Sequence, residues 1–251
     1  MNEKNDRVAW IKGGNATCSN PPLTKPDQIW RLVLLGSPGV GKGTQAVLMH
    51  ERLGACHLST GDVFRAAKNL PDNEKSPALN EAFDYMRLGK LVPDETVLNI
   101  VRERLACLRC PGGFLLDGFP RTVAQAEALE ELLQKEKLPL TAVLNYELPL
   151  NEILARLGGR RTCSSCKAVF HITDQPPKVE GVCDVCGAKL YVREDDRPES
   201  IRVRMEAYEK STKPLIDFYR KRKLLVTVVA GKIPEETYQR AMKALGVTTA
   251  A

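Results

Sequence analysis

The sequence predicts an α/β fold in which a central parallel sheet is flanked by helices. Three observations predict it. Leucine-rich and β-branched runs alternate with stretches of helical periodicity along most of the chain, the mark of parallel strands joined by helical crossovers. The runs read as buried strands, which suits a sheet covered on both faces. A glycine-rich turn, "GSPGVGKGT", joins the first run to a helix, the setting in which an open sheet cradles phosphate.

The elements follow in order. The 251 residues suit one large α/β domain or two small ones, and 43% hydrophobic with 27% charged residues predicts a packed core. Residues 1–28 include Glu3, Asp6 and Asp27 and no long apolar stretch. They read as a flexible or loosely docked extension, not a secretory or transit segment, so a cytoplasmic location is expected; an organelle stroma or matrix is the alternative. Residues 29–250 form the ordered part. "IWRLVLLG" is its first strand, and a helix runs from about Gly43 to Leu53. "GGFLLDGFP" is a strand ending at Asp117, "TAVLNYEL" a third and "LLVTVVAG" a fourth. Val123–Glu136 and Pro198–Tyr219 read as helices.

Two intervals break this rhythm. Residues 59–92 form a short helical excursion, and residues 159–196 carry two cysteine pairs with almost no helical periodicity. Both read as insertions on one core, and long excursions of this kind are more often lids or binding loops than idle connections.

A net charge of +6 suits a polyanionic small molecule as well as nucleic acid. No apolar run approaches the ~20 residues that span a bilayer. The eight cysteines are Cys18, Cys56, Cys107, Cys110, Cys163, Cys166, Cys183 and Cys186. Without an export signal, paired cysteines are expected to bind metal or stay reduced. Cys107 and Cys110 read as two half-buried thiols at a helix end, and Cys18 and Cys56 receive no role.

The glycine-rich turn states its chemistry. Gly36, Gly39, Gly41 and Gly43 let the backbone turn sharply and aim its N–H groups at phosphate oxygens, and the following helix adds positive potential at the same place. Lys42 supplies a mobile charge for the β- and γ-phosphates. The hydroxyl arrives one place later than in the general motif, at Thr44, with Gly43 between.

The second chemical signal is "CSSCKAVFHITDQPPKVEGVCDVC", two Cys-x-x-Cys pairs sixteen residues apart. Four thiolates from Cys163, Cys166, Cys183 and Cys186 suit tetrahedral Zn²⁺ in a closed structural site. Metal-free thiols, an iron site and two disulfides are the alternatives, and His171 or Asp184 could stand in for a ligand. An excursion of ~38 residues with few apolar side chains needs such a staple.

"GxPGxGKGT" resembles the P-loop of adenylate kinases and related nucleoside monophosphate kinases, and further stretches extend the likeness from about Arg31 to Leu245. The resemblance implies a P-loop kinase core with a monophosphate-binding excursion and a zinc-stapled lid. It implies Mg²⁺-dependent, reversible phosphoryl transfer from ATP to AMP giving two ADP, by a monomer with no nucleic-acid or membrane partner. In that likeness Gly39, Val40, Gly41, Lys42, Gly43 and Thr44 bind ATP. "LSTGDVFRA" brings Thr60 to the AMP base and Arg65 to its phosphate, and "GKLVPDE" brings the backbone of Lys90, Leu91 and Val92 to the adenine. "DGFPRTVAQ" adds Gly118, Phe119, Pro120, Arg121 and Gln125 to the AMP pocket, with Asp117 organising Mg²⁺ through water. Arg156 lies near the ATP base and Arg160 on the ATP phosphates, while Arg193 and Arg204 face the transferred phosphoryl group and AMP. Val169 and Phe170 match lid residues near ATP, and Lys232 lies beside the ATP base. The catalytic set is therefore Lys42, Arg121, Arg160, Arg193 and Arg204. The stretch after Asp62 is a few residues longer than typical and lacks the usual glycine pair.

Two other readings compete. A relative using UMP, CMP or GMP is disfavoured by Thr60 and by the long lid. A zinc-knuckle nucleic-acid binder would interleave aromatics with basic residues for stacking, and residues 163–196 offer only Phe170 and Tyr191.

Overall fold

The structure is a computed structural model that describes residues 8–13, 28–68, 70–71, 75–87 and 92–247. In chain order its elements are α1 (Val8–Lys12), β1 (Trp30–Gly36), α2 (Lys42–Leu53), β2 (Cys56–Ser59), α3 (Thr60–Ala67), α4 (Pro77–Arg87), α5 (Asp94–Arg102), α6 (Leu105–Leu108), β3 (Gly113–Asp117) and α7 (Val123–Lys135). There follow β4 (Ala142–Glu147), α8 (Leu150–Gly159), β5 (Arg160–Cys163), β6 (Val169–His171), β7 (Leu190–Tyr191), α9 (Pro198–Ala207), α10 (Leu215–Lys221), β8 (Leu225–Val229) and α11 (Pro234–Ala244).

A five-stranded sheet in the order β2-β3-β1-β4-β8 forms the core, with every neighbouring pair parallel. The two-residue period of a strand sends alternate side chains to opposite layers. Leu32 and Leu34 of β1 face Met49 of α2 and Met242 of α11, whereas Val33 and Leu35 share the other layer with Leu129 and Leu133 of α7. Among the described residues, no helix is long and apolar enough to cross a membrane. Residues 160–191 form a separate antiparallel sheet, β6-β5-β7, around Cys163, Phe170, Cys183 and Leu190.

The register sets where chemistry can occur. Leu34 and Ser59 both pair with Asp117, so β1, β2 and β3 end together. β1 has sequence-remote neighbours on either side, and in such sheets ligands bind in the crevice outside the carboxyl ends of the strands.

Several expectations are corrected. The sequence showed four core strands, but β2 is a fifth; "CHLS" is too short to display a period and becomes a strand by pairing along β3. Residues 198–219 are not one helix. They divide into α9, a π-helical turn at Tyr208–Thr212 and α10, with Pro214 at the break, where a missing N–H and a crowded ring prevent a continuous helix. Within the extension, residues 8–13 are docked and not flexible. α1 is docked, with Ala9 and Trp10 buried; one tryptophan buries enough apolar surface to hold a helix too short to read by periodicity.

The cysteine expectation also changes, because Cys110 is joined to Cys56 in a disulfide with Cα atoms 6.6 Å apart. Register supplies the reason. Cys56 pairs with Phe114, and Cys110 lies just upstream of β3, so the two meet beside the sheet edge. Cys107 is buried.

A bridge between positions 54 apart removes chain entropy from the unfolded state worth about 4 kcal/mol. Peptide mapping of air-oxidised protein is expected to recover Cys56 and Cys110 cross-linked, and reduction to lower stability by about 2–4 kcal/mol. Full alkylation of Cys110 without reductant would contradict the bridge.

Candidate active site

The P-loop leaves β1 at Gly36, whose φ of +133° favours glycine and whose absent Cβ would lie 2.5 Å from the Tyr146 carbonyl. Lys42 then opens α2. Its Nζ donates to the carbonyls of Gly36 at 2.6 Å and Ser37 at 2.9 Å, which folds the side chain back over the loop. Gly43 stands where a Cβ would be 3.6 Å from Asp117 Oδ2, so the helix start lies close to that carboxylate.

Asp117 ends β3 and its Oδ2 lies 3.4 Å from His57 Nε2. Burial opposes its charge, but the contact with His57 and the cations of Lys42 and Arg65 outweigh burial and hold the carboxyl below its usual range. Lys42 shows the converse. Desolvation, aided by Arg121, Arg204 and Arg160 and opposed by Asp117, pushes its ammonium down to about 8.

Cations from distant segments converge here. Arg121 follows β3, Arg160 begins β5, Arg193 follows β7 and Arg204 lies on α9. Desolvation first, and then neighbouring arginines, push Arg121, Arg193 and Arg204 below the usual guanidinium range, Arg193 to about 10. Arg65 of α3 is among the repelling neighbours of all three. Three carboxylates partly balance them. Arg160 makes a bidentate pair with buried Asp196. Arg204 meets Asp195 Oδ2 at 3.1 Å and Asp196 Oδ1 at 3.3 Å. Asp117 completes the set. Burial raises Asp195, but Arg204, Arg160, Arg65 and Arg193 together leave it below the usual carboxylate range.

The cysteine pairs build two matching knuckles. The Cys163 N–H donates to the Ala168 carbonyl and the Cys183 N–H to the Ala188 carbonyl, both at 2.9 Å. Lys167 and Gly187, each following the second cysteine of a pair, take φ values of +63° and +73°. The four Sγ atoms lie within 4.8 Å of one another. Tetrahedral Zn–S bonds of about 2.3 Å fit such a set, and the all-sulfur donors select a thiophilic ion over a hard one.

The adenylate kinase family model matches residues 34–224. The adenylate kinase of Caldicellulosiruptor saccharolyticus is 50% identical over 218 residues, which cover 86% of this chain and 99% of that protein. That of Streptomyces coelicolor is 49% identical over 216 residues, covering 86% and 98%. The chain belongs to the adenylate kinase family.

In this adenylate kinase Thr60 begins α3, with its Oγ1 3.5 Å from the Asp117 carbonyl, and Arg65 pairs with Asp62 at 2.6 Å. Lys90 and Leu91 lie outside the described residues, and Val92 packs against the core. Gly118 accepts from Arg121 Nε through its carbonyl at 2.8 Å. The Phe119 ring is buried in the core and a cis bond joins it to Pro120, so Phe119 offers the cleft backbone alone. Arg156 spans the P-loop and the loop after β8, donating to Gly231 O at 2.7 Å and Val40 O at 3.5 Å. Lys232 is exposed, and its N–H donates to Glu236. Val169 is exposed, but Phe170 is buried among the lid cysteines, because a small excursion uses its one large apolar ring as its own core.

Gln125 is more constrained than its sequence position suggested. It is buried, its Oε1 accepts from the Arg121 N–H at 2.7 Å, and its Nε2 donates to Asp94 Oδ1 at 2.8 Å. Thr122 donates to the other oxygen of Asp94 at 2.8 Å and caps α7. Asp94, His57, Asp195 and Asp196 were not singled out from sequence. The only signal for Asp94 was its place at a helix start, and the others become neighbours of the site only in three dimensions.

Gln125→Leu strands the Arg121 N–H and one oxygen of Asp94. Unmet buried groups cost about 1–3 kcal/mol, so a fall of several degrees in Tm is expected. An unchanged Tm by calorimetry would show the network to be dispensable.

Proposed function

We propose that this adenylate kinase transfers the terminal phosphoryl group of ATP to AMP, reversibly and with Mg²⁺, giving two ADP. The observation that carries the reading is the crowding of Lys42, Arg65, Arg121, Arg160, Arg193 and Arg204 around one crevice, where desolvation and neighbouring cations hold Lys42, Arg121, Arg193 and Arg204 below their ordinary ranges. Such a group is satisfied by several phosphates at once. Two nucleotides meeting end to end supply them.

In this reading the backbone of Gly39–Thr44 and the Lys42 ammonium hold the ATP phosphates, with Arg156 and the backbone at Lys232 beside its base. α3 contributes Thr60 and Arg65 to AMP. Val92, Gly118, Phe119, Pro120 and Gln125 line the rest of that pocket, Gln125 with the N–H that Asp94 leaves over. Arg121, Arg160, Arg193 and Arg204 surround the transferred group, whose charge is spread over its equatorial oxygens in the transition state. No protein nucleophile is required: positioning the two phosphates in line and stabilising developing charge away from water account for the rate. When bound, Mg²⁺ neutralises phosphate charge, and Asp117 is the carboxylate placed to organise it through water.

The lid carries Arg160 and Arg193 near its two junctions with the core, so its fold decides whether they reach the crevice. Cys163, Cys166, Cys183 and Cys186 would hold Zn²⁺ as a staple with no part in the chemistry. We further read the enzyme as a cytoplasmic monomer without a nucleic-acid partner; the family membership supports that reading.

Two assays test the transfer. ATP and Mg²⁺ with AMP, UMP, CMP or GMP in turn are expected to give diphosphate with AMP alone. Arg121→Ala is expected to lower kcat by roughly 10²–10³, the usual worth of a transition-state donor. Equal use of another monophosphate, or full activity in the variant, would overturn the assignment.

For the metal, elemental analysis is expected to find about one zinc per chain. Its removal should expose the lid to protease while the core resists. A metal-free chain with an equally resistant lid would refute the staple.

Lys42 gives the reaction a pH dependence. Its cation, which holds anionic phosphate, is lost as pH rises through about 8. KM for ATP is therefore expected to climb above that pH, with proton uptake on ATP binding. A flat profile from pH 7 to 9 would contradict this role.

A further inference from the structure

Residues 8–13 precede the span that the family model matches, yet two ties fasten them to the core. Trp10 is 1% exposed, and its indole N–H donates to the Ser59 carbonyl at 2.9 Å. Ser59 is the hinge where β2 becomes α3. Its hydroxyl caps α3 by accepting from the Asp62 N–H at 3.2 Å. The carbonyl of an N-cap residue also accepts the first helical hydrogen bond, so the indole grips a group whose direction sets the helix start. Thr60 follows immediately, and Arg65 lies one turn further along.

The second tie is Arg104, between α5 and α6, whose side chain is completely buried. Nε donates to the Trp10 carbonyl, Nη2 to the Ile11 carbonyl at 3.2 Å, and Nη1 to the Ile100 carbonyl at 2.8 Å and to Glu103 at 3.2 Å. Two of its three carbonyl acceptors therefore belong to α1. Gly13 lets the guanidinium pass: its φ is +72°, and a Cβ there would lie 2.9 Å from Arg104 Cζ. A buried guanidinium deprived of acceptors keeps its desolvation cost. The core is therefore built to hold α1, which packs on α3.

We propose that Trp10 and Arg104 form a clasp that positions the AMP subsite from behind. They fix the first turn of α3, and with it Thr60 and Arg65, without touching nucleotide. The inference rests on the reading of α3 as a wall of the AMP pocket. Its signature is selective. The clasp acts on KM for AMP and leaves KM for ATP alone, because the P-loop is carried by β1 and α2 while α1 packs on α3.

The test uses the full chain. Trp10→Phe keeps an aromatic ring in the buried seat and deletes the N–H. It is expected to raise KM for AMP about fivefold, the worth of one buried hydrogen bond, with KM for ATP unchanged. Faster hydrogen exchange at the α3 amides should accompany it. Arg104→Met is expected to act in the same direction and more strongly. Arg65→Ala serves as the control. If Arg65→Ala raises KM for AMP while Trp10→Phe moves neither constant, or moves both equally, the clasp is refuted and the α3 reading stands. If Arg65→Ala leaves KM for AMP unchanged, the α3 reading falls and takes the clasp with it.

Discussion

Like-charge repulsion in one crevice is the constraint on which the rest of this structure depends. Lys42, Arg121, Arg193 and Arg204 are all held below their ordinary ranges by desolvation and by neighbouring cations, Arg160 and Arg65 among them. Left alone, such a group would push its carriers apart. Asp117, Asp195 and Asp196 prevent this, with Asp196 buried between Arg160 and Arg204. The balance is incomplete in the free protein, and an incomplete balance is what allows phosphate to bind with gain. Attraction between fixed, partly desolvated charges is much stronger than between the same charges in water.

The fold can be understood as the means of delivering those charges. Parallel strands that end together place the P-loop, Asp117 and the start of α3 along one edge. The arginines of the second half arrive from an excursion too small to fold by apolar burial alone, since its core among the described residues is Cys163, Phe170, Cys183 and Leu190 with Ala168 and Ala188 packed against it. Two of those four are themselves metal-type ligands. Core and staple thus share Cys163 and Cys183, and the lid's shape depends on what the sulfurs hold. In the first half of the chain, Cys56–Cys110 and the Trp10–Arg104 contacts both fasten the segments around β2 and α3.

Much of this was legible in sequence where a residue type has a single local use. Gly36 at the end of an apolar run, Lys42 at a helix start, Asp117 at a strand end and the four cysteines all announce their geometry through spacing. What escaped was decided by distant partners. β2 exists because β3 lies beside it, and Cys110 finds Cys56 because register brings them together. Asp94 meets Gln125 from 31 positions away, and the VAWIK segment carries no sign of Arg104, 94 positions away from Trp10. Resemblance put Phe170 near ATP; its ring is buried in the lid's own core. Pattern reports local periodicity and chemistry, whereas these contacts are facts of topology.

The most direct test of the central claim is a calorimetric titration with two adenosines joined end to end through five phosphates, which fills both halves of the crevice at once. Joining the halves removes the entropy cost of bringing a second ligand. One molecule is expected to bind per chain, at least a hundredfold more tightly than ATP, with an affinity that falls as salt rises and falls again in Arg204→Ala. Binding no tighter than ATP alone would mean that the cations do not form a single site for two nucleotides, and the account would be wrong at its base.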